Sequence, residues 1–201
     1  MIRLILASGS PRRREILQNL GIPFEVITCE TDESCSLTDP AAYVRELATR
    51  KGLAVRDMLR EQGQDLSDTL ILSADTVVAM DSTILGKPTD RADATRMLTG
   101  LSGRDHAVYS GIALIRGDTA AAHSERTAVH VAPLSEAEIA RYVATGEPDD
   151  KAGGYAMQGL FSPYITGIEG CYFNVVGLPI HALFRLAKDK FDIDLYSLRY
   201  D

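Results

Sequence analysis

A near-continuous apolar run between Thr69 and Met80 constrains the fold more than any other part of the sequence. A run of this kind is typical of a strand covered on both faces of a sheet, whereas a strand with one face in water alternates apolar and polar residues. Other strands are predicted on both sides of it, separated by segments with helical signals. Strands mixed with helices throughout predict an α/β protein with a mixed, twisted sheet flanked by helices.

Cap residues, prolines and glycines place the other elements of the predicted fold. The predicted strands are Ile2–Ala7, Phe24–Thr28, Thr69–Met80, Thr83–Leu85, His106–Ile115, Thr127–Val131 and Cys171–Val176. The predicted helices begin after Ser10, Asp39, Thr89 or Asp90, and Ser135, they end near Gly21, Gly63, Gly100 and Gly146, and a last helix covers Ile180–Lys190.

Length and charge exclude several classes of function. The chain has 201 residues, enough for one domain or two small lobes that share a core. Its net charge of −7 argues against general binding to nucleic acid, which needs a broad basic surface. No apolar stretch is long enough to span a membrane, and the N-terminal apolar run is too short for a signal peptide. We therefore expect a cytoplasmic protein with no membrane partner and with its three cysteines as free thiols.

Three arginines follow a predicted helix start at residues 8–14 (SGSPRRR). The N-terminal end of a helix is already positive, so cations there are unfavourable unless an anion compensates them. The hydroxyls of Ser8 and Ser10 add donors, and arginine side chains match phosphate oxygens. The segment predicts an anion site with Arg12 and Arg13 tipped toward the interior, and a solvated basic turn is the alternative. On this argument alone, replacing Arg13 by alanine leaves the stability unchanged or raises it.

Two lysines carry no strong signal of their own. Lys51 lies on an apolar helix stripe between Leu47 and Val55, where a lysine usually extends its ammonium to water. Lys87 follows Gly86 in a loop, where an exposed lysine is common. Pattern alone therefore favours a structural interpretation for both.

Asp75 interrupts the buried apolar run and is a sharper signal. A carboxylate inside such a strand needs a partner or a metal ion, unless it marks the end of the strand and bonds a turn. Glu33 lies in an acidic loop beside Asp32 and would supply a second carboxylate, although acidic loops are common. Two carboxylates that bridge Mg²⁺ to phosphate oxygens are a usual way of holding that metal.

Several other kinds of site are excluded. The four histidines form no HxxxH or HExxH pair, which argues against a zinc hydrolase. The chain contains no GxSxG elbow of an esterase and no GxxxxGK[ST] phosphate loop.

Five segments together resemble the Maf nucleotide pyrophosphatases. They keep their order and spacing from residue 4 to about residue 187, and they are residues 7–13 (ASGSPRR), 73–78 (SADTVV), 86–88 (GKP), 150–159 (DKAGGYAMQG) and 174–179 (NVVGLP). The resemblance implies an elongated α/β fold with a deep cleft, related to inosine triphosphate pyrophosphatases. It also implies one domain over residues 1–201, with two lobes around the cleft.

The resemblance further implies hydrolysis of a nucleoside triphosphate to the monophosphate and pyrophosphate, with a divalent cation, Mg²⁺ or Mn²⁺, as cofactor. By this resemblance Asp75 is the general base, and Asp75 and Glu33 hold the metal. The residues implied to bind the phosphates are Ser8, Arg13, Lys51 and Lys87. The partner is a small nucleotide, and the oligomeric state stays open, a homodimer being one of the states allowed.

Three positions separate two substrate branches of the family. The dTTP/UTP branch carries Arg, Thr and Gln, as here at Arg12, Thr76 and Gln158, whereas the branch acting on 7-methyl-GTP typically has Trp, Gln and Glu. The resemblance therefore implies dTTP, UTP or modified pyrimidine triphosphates as substrates. Two alternatives remain open: a 7-methyl-GTP pyrophosphatase and a nucleotide-binding regulator of septum formation. One departure from the family is Gly52, where Ala is usual, and glycine costs a helix about 1 kcal/mol relative to alanine.

Overall fold

The computed structural model describes residues 2–81 and 83–199. Its strands are β1 (Arg3–Leu6), β2 (Glu25–Val26), β3 (Thr69–Met80), β4 (Thr83–Leu85), β5 (Asp105–Arg116), β6 (Thr119–Val131) and β7 (Ile165–Glu169). Its α-helices are α1 (Pro11–Asn19), α2 (Pro40–Glu61), α3 (Arg91–Leu101), α4 (Glu136–Ala144), α5 (Tyr172–Val176) and α6 (Ile180–Phe191). None of the helices in these ranges is both long enough and apolar enough to cross a membrane.

The strands form one mixed sheet in the order β2-β1-β3-β5-β6-β7, and β4 pairs with β3. β1 runs parallel to β2 and to β3, whereas the other pairs are antiparallel. β3 lies inside the sheet and nearly all of its residues are buried, as its apolar sequence predicts. The predicted α/β class and the mixed sheet are confirmed.

Helices cover both faces of β3, because alternate residues of a strand point to opposite faces. Leu72 belongs to a core shared with Leu17 of α1 and Leu183 of α6. Its neighbour Ile71 belongs to a separate core with Val55 of α2. A third core lies against α3 and α4.

Gly111 of β5 allows α2 to lie unusually close to the sheet. A Cβ atom at this position would be 2.2 Å from the carbonyl oxygen of Val44, which no real side chain tolerates. Next to this contact, the buried hydroxyl of Ser73 donates to the carbonyl oxygen of Ala48 at 2.6 Å. The close packing holds one side of α2 directly against β3.

Three of the four predicted helix caps form, at Asp39, Asp90 and Ser135, whereas Ser10 lies at the N-cap position of α1 but its side chain makes no capping hydrogen bond. The Asp39 side chain accepts a hydrogen bond from the backbone N–H of Ala42 at 2.8 Å at the start of α2. Ser135 and Glu138 form the capping box of α4, in which each side chain bonds the other residue's backbone N–H. Such caps satisfy donors that a helix start leaves unpaired.

The predicted last strand, Cys171–Val176, is wrong. The segment forms the short helix α5, which Gly177 ends with a φ of 111°. A short apolar run cannot be assigned to a strand or a buried helix by periodicity alone. Asn174 of this helix is fully buried, and its side-chain oxygen accepts from the backbone N–H of Ser110 of β5 at 3.0 Å.

Two strand features were missing from the sequence prediction. β6 begins at Thr119 rather than Thr127, and the added residues are mostly exposed, so they carry no hydrophobic pattern. They extend a long hairpin with β5 that continues to the pair Arg116–Thr119. The edge strand β7 (Ile165–Glu169) was missing as well, and its residues are exposed or only partly buried.

Candidate active site

A cleft of about 580 Å³ opens beside β3, where the edge of that strand is uncovered. β1 ends at Leu6, opposite Leu72, and β4 pairs with β3 only from Val78 onward. Between these points, that edge of β3 has no strand partner within the described ranges. Asp75 and Thr76 therefore both line the cleft although neighbouring residues of a strand point to opposite faces.

All nine site residues predicted from the sequence line this cleft. They come from the turn after β1, the first turn of α1, the loop before α2, α2 itself, β3, the loop after β4 and the glycine-rich segment after α4. The nine are Ser8, Arg12, Arg13, Glu33, Lys51, Asp75, Thr76, Lys87 and Gln158. Their individual roles stay predictions.

The cleft is positively charged in an acidic protein. Five cationic side chains and three anionic side chains line it, an excess of two positive charges, whereas the whole chain carries a net charge of −7. Concave sites lined by one sign of charge concentrate ligands of the opposite sign. The arrangement favours an anionic ligand.

Arg13 is held by three neutral oxygen atoms. Its Nε donates to the carbonyl oxygen of Gly177 at 2.8 Å, Nη1 donates to Ser8 Oγ at 2.9 Å, and Nη2 donates to Thr76 Oγ1 at 3.1 Å. Burial lowers the pKa of Arg13 to about 10, against the opposing effect of the Asp75 carboxylate, so the guanidinium stays charged at neutral pH. Since a guanidinium has five N–H groups, two remain for a ligand.

Ser8 presents a donor to the cleft. Its oxygen already accepts from Arg13 Nη1 at 2.9 Å and from the backbone N–H of Ser10 at 3.3 Å. A hydroxyl has two acceptor sites and one proton, so the proton is what remains. A phosphate oxygen is a suitable acceptor for it.

Lys51 forms ion pairs with both predicted metal-binding carboxylates. Its Nζ lies 2.6 Å from Asp75 Oδ1 and 3.0 Å from Glu33 Oε1. The Asp75 side chain is 12% exposed and the Glu33 side chain 63% exposed, so the first pair lies at the base of the cleft and the second toward solvent. The close packing of α2 on β3 explains why Lys51 reaches this point instead of extending into water.

Glu33 and Asp75 supply part of a shell for a divalent cation. The described ranges contain no group of three or more His, Cys, Asp or Glu side chains that could hold a metal by themselves. Two carboxylates converging on one ammonium nevertheless offer oxygen atoms around one point, and Mg²⁺ commonly completes its shell with water and substrate phosphate. The donor set fits a cation that is shared with a phosphate-bearing ligand.

Arg12 and Lys87 are available to a ligand. Neither side chain forms a hydrogen bond or ion pair with any residue that the structure describes. The loop that carries Lys87 is fixed by its neighbour Gly86, whose carbonyl oxygen accepts from the backbone N–H of Gly153 at 2.9 Å. This bond joins the loop after β4 to the glycine-rich segment.

Gln158 lies at the exposed rim of the cleft. Its Nε2 donates to the hydroxyl of Tyr172 at 3.0 Å, and Tyr172 is 40% exposed. The amide oxygen and the second N–H of Gln158 remain available. An amide with one free donor and one free acceptor is suited to reading the edge of a nucleobase.

Three of the cleft residues that were not predicted carry ionisable side chains of interest. Tyr43, Asp150 and Lys151 all line the cleft, and the last two form an ion pair with each other. Asp150 and Lys151 begin the glycine-rich segment 150–159, which also contains the predicted residue Gln158. Their position in that segment was the signal that could have indicated them. No sequence feature singles out Tyr43 from other helix residues.

Comparison with known sequences identifies the family. The pattern of the Maf-like proteins matches residues 3–190. This chain belongs to the Maf family. A dTTP/UTP pyrophosphatase of Symbiobacterium thermophilum is 50% identical over 182 residues, 90% of each chain. A dTTP/UTP pyrophosphatase of Bacillus anthracis is 45% identical over 196 residues, which cover 97% of this chain and 98% of the relative.

A third relative agrees with these two. A dTTP/UTP pyrophosphatase of Thermoanaerobacter pseudethanolicus is 44% identical over 196 residues, 96% of this chain and all of the relative. The range matched to the Maf family includes every residue that lines the cleft, from Ser8 to Gly177. The cleft is therefore part of the shared Maf domain and not an addition to it.

Proposed function

We propose that this Maf protein is a cytoplasmic nucleoside triphosphate pyrophosphatase that hydrolyses dTTP, UTP or modified pyrimidine triphosphates to the monophosphate and pyrophosphate. The observation that carries the proposal is the convergence of phosphate-binding cations and a carboxylate pair in one cleft. The names and near-complete coverage of the relatives support the same substrates.

Four side chains would bind the triphosphate. Arg13 offers two free N–H groups, Ser8 offers its hydroxyl proton, and Lys87 offers an unpaired ammonium. Lys51 has a third N–H besides the two that face Asp75 and Glu33. Charge-assisted hydrogen bonds of this kind are the strong ones in phosphate recognition.

Asp75 would act as the general base. Its carboxylate is nearly buried and faces the cleft, where it would take the proton of the water molecule that attacks the triphosphate. Lys51 holds that carboxylate in place through the 2.6 Å contact. A divalent cation bound by Glu33 and Asp75 would neutralise charge on the phosphate oxygens.

Arg12, Thr76 and Gln158 would select the base. Thymine and uracil present a carbonyl, an N–H and a second carbonyl along one edge. The Gln158 amide keeps one donor and one acceptor free, and Thr76 lies deeper in the same cleft. Hydrogen-bond complementarity along this edge would favour the two bases.

A substrate panel tests the proposal. Purified protein is assayed for pyrophosphate release from dTTP, UTP, CTP, GTP and 7-methyl-GTP with Mg²⁺, with Mn²⁺ and with a chelator. We expect turnover of dTTP and UTP that the chelator abolishes. We expect Asp75→Asn to lose roughly 10²- to 10⁴-fold in kcat, since it cannot accept the proton.

One control and two alternative outcomes accompany the panel. The melting temperature of Asp75→Asn shows whether the variant is folded. Nucleotide binding without pyrophosphate release by the wild type would instead favour a nucleotide-binding regulator. Preference for 7-methyl-GTP would favour the other branch of the family.

A further inference from the structure

A row of buried polar side chains runs from the cleft across the sheet to α5. It starts at Thr76 of β3 and continues through Ser110 of β5, Asn174 of α5 and Thr127 of β6. Ser110, Asn174 and Thr127 are fully buried. Buried polar groups are unfavourable unless they are hydrogen-bonded, so the pairing of each member can be followed atom by atom.

The amide of Asn174 has one orientation only. Its Oδ1 accepts from the backbone N–H of Ser110 at 3.0 Å, and its Nδ2 donates to the carbonyl oxygen of Val108 at 3.0 Å. The first partner can only donate and the second can only accept. Nδ2 also donates to Thr127 Oγ1 at 2.9 Å. Asn174 therefore fixes the position of α5 against β5 and β6.

The hydroxyl of Ser110 has a defined direction. Its Oγ lies 2.8 Å from the carbonyl oxygen of Asn174, to which it donates. A hydroxyl has one proton, so Ser110 must accept the other hydrogen bond that it makes, at 2.8 Å from Thr76 Oγ1. Thr76 is consequently the donor in that bond.

The bonds that Thr76 already makes determine which hydrogen bond its hydroxyl can form with a ligand in the cleft. Its proton is used by Ser110, and its oxygen accepts from Arg13 Nη2 at 3.1 Å. One lone pair remains on the oxygen. Thr76 therefore presents a hydrogen-bond acceptor, and no donor, to a ligand in the cleft.

We propose that Ser110 and Asn174 are positioning residues for base selection, because they fix Thr76 as an acceptor and so favour bases with a ring N–H. Uracil and thymine carry a proton at N3, whereas N3 of cytosine carries a lone pair. As an acceptor only, Thr76 can bond the N3–H of uracil or thymine, whereas its lone pair would face the N3 lone pair of cytosine. This inference rests on the proposed function and names residues that do not line the cleft themselves.

The test compares UTP with CTP in Ser110→Ala. The substitution removes the acceptor of the Thr76 proton, so the hydroxyl can rotate and donate into the cleft. We expect the ratio of kcat/KM for UTP over CTP to fall about tenfold or more, mainly through a lower KM for CTP. Ser110→Thr keeps the hydroxyl and should keep the wild-type ratio.

Ser73→Ala is the matched control. Ser73 is another fully buried serine of the sheet, it does not line the cleft, and its hydroxyl donates to the Ala48 carbonyl oxygen. Its replacement should lower the melting temperature and leave the UTP/CTP ratio unchanged. If Ser110→Ala does not fold, Ser110→Cys, with its weaker acceptor, should give a ratio below that of the wild type.

The outcomes are distinct. A wild-type protein that does not hydrolyse UTP contradicts the proposed function. A wild type that hydrolyses UTP and CTP equally overturns the inference alone. So does a folded Ser110→Ala or Ser110→Cys variant that has the same ratio as Ser73→Ala, or that loses activity equally toward both nucleotides.

Discussion

Lys51 Nζ lies 2.6 Å from Asp75 Oδ1, and the same ammonium contacts Glu33 Oε1 at 3.0 Å. The proposed phosphate-binding lysine thus compensates both carboxylates proposed to hold the metal. A divalent cation that binds these oxygens has to compete with the ammonium. Lys51 therefore has two effects: it holds the two carboxylates together, and it lowers their affinity for a metal ion in the free protein.

Lys51→Met should separate these two effects. Without the competing ammonium, Mg²⁺ or Mn²⁺ should raise the melting temperature of the nucleotide-free variant more than that of the wild type. Pyrophosphate release should fall at least about tenfold, because one charged contact to the phosphates is lost. Lys87→Met is the control, since Lys87 has no carboxylate partner in the described ranges, and it should weaken nucleotide binding only. Equal metal-induced shifts in wild type and Lys51→Met would contradict this account.

Arg13→Ala should destabilise the protein, in contrast to the expectation from the helix terminus alone. The guanidinium bonds Gly177, Ser8 and Thr76, and alanine leaves all three oxygens without it. We expect the free energy of unfolding in urea to fall by about 1–3 kcal/mol. Arg14→Ala is the matched control from the same helix turn, because Arg14 is exposed, and it should change the stability by less than about 0.5 kcal/mol. Equal stabilities of the two variants would restore the simpler helix-terminus argument.

Gly52→Ala should lower the stability although alanine is the better helix former. A Cβ at this position would lie 2.1 Å from Ile115 Cδ1 and 2.6 Å from Ser73 Oγ. Overpacking of this kind costs roughly 1–3 kcal/mol, more than the helix gains from alanine, about 1 kcal/mol. Adding Ile115→Val removes Cδ1 and should recover part of the loss, so the two changes should be non-additive in a double-mutant cycle. If Gly52→Ala raises the melting temperature, the packing argument fails.

The sequence predicted the fold where local signals and burial agree. Asp39 before Pro40 and the Ser135–Glu138 box are local signals, and both caps form. The buried strand Thr69–Met80 follows from its composition. The exposed first half of β6 could not be predicted, because pairing with β5 rather than burial defines it.

The candidate site was likewise predicted only in part, because some of its features depend on tertiary packing. Pattern alone gave Lys51 no role, since the ion pair with Asp75 depends on how closely α2 packs against the sheet at Gly111 of β5. The resemblance to Maf proteins supplied that residue, and the contacts supply the physical reason. The uncovered edge of β3 is likewise a property of strand lengths in three dimensions.

His106 should make the protein acid-sensitive. The side chain is 4% exposed, its Nε2 contacts the Tyr155 hydroxyl at 2.6 Å, and Nδ1 has no hydrogen-bond partner in the described ranges. Burial lowers the pKa of His106 to about 4, against about 6.5 in the unfolded chain. The unfolded state therefore binds the proton first, and stability is complete above pH 6.5 and lost as the pH falls toward 4.

The expected size of this loss is about 2 kcal/mol between pH 7 and pH 5. His106→Gln removes the titrating group and should flatten the dependence of the unfolding free energy on pH in that interval. His123→Gln is the control, because His123 is a largely exposed histidine, and it should leave the dependence unchanged. The same slope in His106→Gln and the wild type would show that another group causes the acid sensitivity.

Base selection should change when three cleft residues are replaced together. The variant Arg12→Trp, Thr76→Gln, Gln158→Glu carries the residues typical of the Maf branch that acts on 7-methyl-GTP. Gln158→Glu alone sets a carboxylate against a pyrimidine carbonyl, two acceptors that cannot pair, at a cost of roughly 1–3 kcal/mol. A positively charged 7-methylguanine instead suits a carboxylate and the aromatic face of a tryptophan. We therefore expect the ratio of kcat/KM for UTP over 7-methyl-GTP to fall in Gln158→Glu and further in the triple variant.

Tyr172→Phe is the control for this prediction. It removes the partner of Gln158 without adding charge, so it should lower activity toward UTP without raising activity toward 7-methyl-GTP. A folded, active triple variant with an unchanged ratio would place base selection elsewhere in the cleft.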